Sequence, residues 1–157
     1  MAAKQDDGWD LVIHSRNGQL VLAVQIKTKL NASPEWVAQF RHNIFAYEIF
    51  PQSPYFLMAF PDRFHLWTNN DTFPELREAN YIIDAYPILK PYLEKAGLTK
   101  DQKISAQSLE IIVASWLGEI ISSEPAFGKT DKFGQWLTDS GLYDAIAGGR
   151  FYYEAVA

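Results

Sequence analysis

Residues 9–29 read WDLVIHSRNGQLVLAVQIKTK. Two apolar, β-branched runs flank Asn17-Gly18, the dipeptide that best matches a tight hairpin turn, so the stretch predicts two antiparallel strands. With Asn17 and Gly18 as a two-residue loop, Arg16 pairs with Gln19, and counting back from the turn brings Asp10 opposite Gln25. Directly opposed residues point to one face, with Cβ atoms ~5 Å apart. Side chains repeat every second residue along a strand, so Lys27 falls on the same face as Gln25. His14 shares the face of Asp10 by the same count. The hairpin is thereby expected to gather a carboxylate, an amide and an ammonium.

The neighbouring sequence extends this unit. Ser33 is a good N-cap, Pro34 suits the first helical position and Glu35 suits the positive end of the helix dipole. Val37, Phe40, Ile44 and Tyr47 recur at helical spacing and predict a buried stripe, with the helix ending before Pro51. PYFLMAF (54–60) is a continuous apolar run, as in a strand covered on both faces. RFHLW (63–67) alternates and follows a turn at Pro61-Asp62. Residues 68–84 carry Asn69, Asn70, Asp71 and Pro74 and read as irregular. The second half reads as mostly helical: a short helix within 85–96 ended by Gly97, a longer one from Ser105 to Ser122, and a last segment over 131–147 stopped by Gly148-Gly149. Leu109, Ile112, Val113, Trp116, Leu117 and Ile120 form the apolar face of the longer helix. FYYEAV is read as an added edge strand. No repeat, low-complexity tract or linker divides the chain, so residues 1–157 are expected to be one α/β domain with a mixed sheet of about four strands, flanked by helices.

Composition narrows the function classes. A chain of 157 residues is long enough to bury a core unaided. The absence of cysteine removes disulfides, thiolate metal sites and cysteine nucleophiles, and fits a cytoplasmic protein. No apolar run approaches the ~20 residues of a membrane span, and MAAKQDDGWD has no apolar signal-peptide core. A formal net charge of -5 argues against coating nucleic acid non-specifically, because neutralising phosphates needs clustered Lys and Arg. There is no G-x-S-x-G elbow and no phosphate-binding P-loop. Three scattered histidines, His14, His42 and His65, have no zinc-site spacing.

The chemistry rests on the hairpin cluster. Asp10 offers a hard anionic oxygen to Mg²⁺ or Mn²⁺, and Gln25 a neutral carbonyl oxygen. Lys27 suits orienting a water or stabilising charge on a phosphate oxygen. Asp10, a hairpin, and then Gln25-Ile26-Lys27 at a strand end resemble the PD-(D/E)XK nuclease superfamily. VLAVQIKTK before a helix is similar to that superfamily's V-E-V-K-T strand, and strand, strand, helix, strand is its core order. More narrowly, the chain looks like the small restriction-endonuclease-like proteins of bacteria. The resemblance spans roughly residues 8–67.

The resemblance implies a restriction-endonuclease-like fold and a metal-dependent endonuclease. Asp10 and Gln25 would be its metal ligands, Lys27 its catalytic lysine, and Mg²⁺ or Mn²⁺ its cofactor. It also places Gln39, on the following helix, near the site. His14, from its position on the face of Asp10, is read as a further assisting residue. DNA is the implied substrate, and a homodimer through the C-terminal helices the implied assembly. Gln25 stands where the motif carries an acid, and Trp9 where its name implies proline. The stretch before Asp10 is too short for the helix and strand that usually open this core. The alternative is a degenerate nuclease-fold protein that acts as a binding or interaction module.

Overall fold

The computed structural model describes residues 11–46, 53–70, 75–100, 103–123 and 134–153. In chain order the elements are β1 (Leu11–His14), β2 (Leu20–Ile26), α1 (Pro34–Ala46), β3 (Tyr55–Ala59), β4 (Arg63–Trp67) and β5 (Tyr81–Asp84). Then come α2 (Tyr86–Lys95), α3 (Ala106–Ser122), α4 (Gln135–Asp139), α5 (Leu142–Ile146) and β6 (Arg150–Tyr153). The strands form one mixed sheet in the order β5-β4-β3-β2-β1-β6. Among the described strands only β2 and β3 are parallel, joined by the α1 crossover that parallel neighbours require.

The hairpin forms, with a different turn. Gly18 N–H donates to Ser15 O, and Ser15 N–H donates to Gln19 O, each at 2.8 Å. The loop therefore has three residues, and Ser15 rather than Arg16 faces Gln19. Gly18 adopts φ of 85°, which L side chains avoid and glycine accepts freely. A register shift between Ile13 and His14 absorbs the extra residue. Beyond it Leu11 faces Val24, Val12 faces Ala23 and Ile13 faces Leu22, the pairing the two-residue loop predicted for this part of the hairpin.

In α1, Ser33 caps as expected, its Oγ accepting the Trp36 N–H at 3.1 Å. The buried stripe differs. Val37, Ala38, Arg41, Ile44 and Phe45 face the sheet, while Phe40 is only partly buried and Tyr47 lies outside the described residues. Arg41 takes an inward position that the apolar pattern alone would not assign to a charge.

The sheet has six strands where about four were expected. β5 lies in the stretch read as irregular. It has four residues, alternating between half-buried and exposed, too short to outweigh the breakers before it. β6 joins as an edge strand, antiparallel to β1. RFHLW does not alternate between buried and exposed. Its last four residues are all buried, because both faces of β4 are covered. In the second half, α2 ends before Gly97, and α3 starts after Ser105, whose Oγ accepts the Ser108 N–H. The final helical segment is two short helices, separated where Gly141 adopts φ of 82° beside the Tyr55 hydroxyl.

The sheet separates two apolar clusters. On one face Leu11, Ile13, Leu22, Val24, Leu57 and Leu66 pack against the inward residues of α2, α3, α4 and α5. On the other, Val12, Ala23, Phe56, Met58 and Trp67 pack against Val37, Ile44 and Phe45 of α1. Fully burying one such side chain stabilises the fold by roughly 1.5–3 kcal/mol. Among the described residues no helix is long and apolar enough to cross a membrane.

Candidate functional site at the end of β2

Gln25 faces Met58 across the parallel ladder, and Met58 faces His65 of β4. Met58 belongs to the α1 cluster, so Gln25 projects to the α1 side and is 2% exposed. Lys27 follows the last residue of β2, and its backbone N–H continues the ladder by donating to Ala59 O at 3.0 Å. Its side chain turns to the same side, where Nζ lies 4.6 Å from the centre of the Phe40 ring. The expected sharing of one face by Gln25 and Lys27 is therefore present. Asp10, the third member of the cluster, lies outside the described residues.

Lys27 is one rung of a longer arrangement. Lys29 Nζ lies 5.0 Å from the Trp36 ring centre, and the Trp36 and Phe40 rings stack at 5.4 Å. Two residues of extended chain advance about 6.6 Å, and four residues of helix about 6 Å. A lysine pair two apart on a strand therefore matches an aromatic pair four apart on an antiparallel helix. Each contact of this kind is worth ~0.5–1 kcal/mol at an exposed position. Lys29 is exposed and Trp36 is 39% exposed, so the outer rung faces solvent.

Gln39, expected near the site, is exposed, and its amide donates to Asn43 Oδ1 one turn further along α1 at 3.0 Å. His14 is half-buried at the far end of β1, where its ring meets Tyr152 of β6 edge-on at 4.9 Å. In the hairpin ladder His14 is opposite Leu20, at the start of β2, whereas Lys27 lies beyond its other end.

Two polar residues on the α1 side escaped the sequence reading of the site. Arg41 is 0% exposed. Its Nε and Nη2 donate to Asn70 Oδ1 at 3.0 and 2.8 Å, and Nη1 donates to Glu75 O at 2.7 Å. Asn70 in turn donates to Ser53 O at 3.3 Å. Burial, followed by the nearby Arg77 charge, lowers the Arg41 pKa to about 10, with Glu75 opposing; it stays charged at neutral pH. His65 is 1% exposed between Phe60 and Trp67. Among the described residues neither of its ring nitrogens has a hydrogen-bond partner. Burial holds its pKa down at about 4, with Asp62 raising it and Arg63 lowering it. The available signal for Arg41 was its spacing, four residues after Val37 and three before Ile44; its charge argued against using it.

Among the described residues no three His, Cys, Asp or Glu side chains come together as a metal centre. Gln25 offers a neutral oxygen only, so an anionic ligand for the expected Mg²⁺ or Mn²⁺ depends on Asp10. No family model matches the chain, and no curated protein or solved structure matches it either.

Proposed function

We propose that this chain is a metal-dependent nuclease of the PD-(D/E)XK kind, hydrolysing phosphodiester bonds of DNA. The observation that carries the reading is the succession of Gln25 and Lys27 on one face at the C-terminal end of β2. It occurs within a unit of antiparallel hairpin, helix and parallel strand. Asp10 and Gln25 would hold Mg²⁺ or Mn²⁺, which supplies Lewis-acid polarisation and an acidified water when bound. Lys27, held over Phe40, donates a charged N–H hydrogen bond to a phosphate oxygen as negative charge grows there. Lys29, beside the partly exposed Trp36, extends the site with a charge for the backbone.

One observation favours a second reading. Gln25 is uncharged and 2% exposed, whereas a metal ligand must be reached by ion and substrate. On that reading the core is kept, the chemistry is lost, and the lysine and aromatic rungs bind without cutting.

The test is cleavage of single- and double-stranded DNA and RNA with Mg²⁺ or Mn²⁺, beside Lys27→Ala. The nuclease reading expects metal-dependent cleavage that falls by roughly 10²–10³ in the variant, the usual loss on removing one charge-stabilising donor. Cleavage by neither protein discards that reading in favour of the binding module.

A further inference from the structure

A second site lies across the sheet from Lys27. Thr28 and Leu30, just after β2, and Pro61 and Asp62, just after β3, open onto a cavity of about 730 Å³. These are the carboxyl ends of the sheet's one parallel pair. The volume is that of a small-molecule site.

The chemistry of the wall selects the ligand. Leu89 and Leu93 of α2, with Ile104 and the 56% exposed Leu30, form an apolar side. The charged groups are Asp62, Arg63, Asp84, Lys100 and Lys103. Both carboxylates already serve the backbone: Asp62 Oδ2 accepts the Asn31 N–H at 2.9 Å, and Asp84 Oδ1 accepts the Tyr86 N–H at 3.1 Å. Arg63 and Asp84 are direct cross-strand partners and offset one another. Lys100 and Lys103 are both exposed, and Lys100 Nζ lies 4.9 Å from the centre of the Tyr86 ring at the wall. Among the described residues, three cations and two anions line this wall, in a chain whose net charge is -5. Among the described lining residues Tyr86 is the one aromatic, and Lys100 lies over its ring.

We infer that this cavity binds a small amphiphile, one anionic head on an aliphatic body, with Lys100 and Lys103 meeting the head and the leucine wall taking the chain. The inference is independent of the nuclease reading, since the cavity uses neither Gln25 nor Lys27.

Calorimetric titration of the full chain with decanoate tests it. Decyl phosphate distinguishes a phosphate head from a carboxylate, and decylammonium serves as the cationic control. Saturable 1:1 binding of at least one anion is expected, with decylammonium at least tenfold weaker. Lys100→Ala/Lys103→Ala, changed only at exposed positions, should weaken the anion at least tenfold while its thermal melt matches the parent's. Leu93→Asp, which puts a charge in the apolar wall, should abolish binding. Should that variant fail to fold, competition by octanoate, expected to be weaker than decanoate, reports on the wall instead. Absence of saturable binding, equal binding of decylammonium, or indifference to loss of both lysines would overturn the assignment.

Discussion

The two faces of the sheet are built differently. Among the described residues, the side chains buried against α2 to α5 are apolar apart from the Tyr143 hydroxyl and the Trp116 indole N–H. The buried polar residues among those described, Gln25, Arg41, Ser53, His65 and Asn70, lie on the α1 side or are tied to it through Arg41. Burying a polar group costs about 1–3 kcal/mol unless a partner restores its hydrogen bonds. One face therefore has an apolar core, while the other carries buried polar groups at a cost that an apolar core would avoid. Arg41 meets that cost with a network joining α1 to Asn70 and Glu75. His65 avoids the further cost of a buried charge by staying neutral, while its ring nitrogens have no hydrogen-bond partner among the described residues.

The largest expected effect tests whether the polar face depends on pairing. Arg41→Ala should destabilise the protein by about 3–5 kcal/mol in chemical denaturation, because it opens a cavity and leaves Asn70 buried without its donor. Arg41→Met with Asn70→Leu should recover most of that loss, since paired polar groups replaced by apolar ones of similar volume are often neutral. If the double variant is as unstable as the single one, the network supplies more than mutual satisfaction. On the apolar face Leu117→Ala should cost about 2–5 kcal/mol from lost burial and the residual cavity. No second substitution of the kind used at Arg41 should restore it.

His65 gives the polar face a pH dependence. Its folded pKa of about 4 lies below the ordinary 6.5, so below pH 6.5 the unfolded chain takes up a proton that the folded chain refuses. The stability is complete above pH 6.5 and is lost as pH falls toward 4, by about 2–3 kcal/mol over that window. His65→Leu should flatten this part of the stability–pH curve, and an unchanged slope would move its origin elsewhere.

The smallest effect bears on the candidate site. Gln25→Glu should cost about 1–3 kcal/mol without metal, because a carboxyl buried there escapes the larger cost of a buried charge only by taking up a proton. If Asp10 and position 25 form an ion site, Mn²⁺ should raise the melting temperature of Gln25→Glu more than that of the parent. An equal response of the two proteins would remove position 25 from any metal site.

The hairpin shows how far local reading reaches. Asn17-Gly18 located the turn, but the same dipeptide fits a two-residue loop and a three-residue loop ending in a left-handed glycine. Only the hydrogen bonds of Ser15 chose between them. The pairing of Leu11 with Val24 matched the prediction because the irregularity after Ile13 cancelled the longer loop, a compensation that turn chemistry does not announce. In α1 the period of the stripe was legible and its phase was not. Phe40 looked like core and Arg41 like surface, yet Phe40 is half-buried beneath Lys27 and Arg41 is fully enclosed.

What the sequence determined by itself is what short-range physics controls. The two hairpin strands, the Ser33 and Ser105 caps, the apolar face of α3, and the sharing of one face by Gln25 and Lys27 follow from backbone periods and local hydrogen bonds. The tertiary structure decided what depends on partners distant along the chain. It gave β5 and β6 their places, since four-residue strands persist only when a neighbour supplies the ladder. It enclosed Arg41, whose acceptors lie 29 and 34 residues away. It also formed the cavity beyond β2 and β3 from segments that no local pattern relates. A charge can be buried, and a crevice opened, only after the fold has brought together the groups that satisfy the one and line the other.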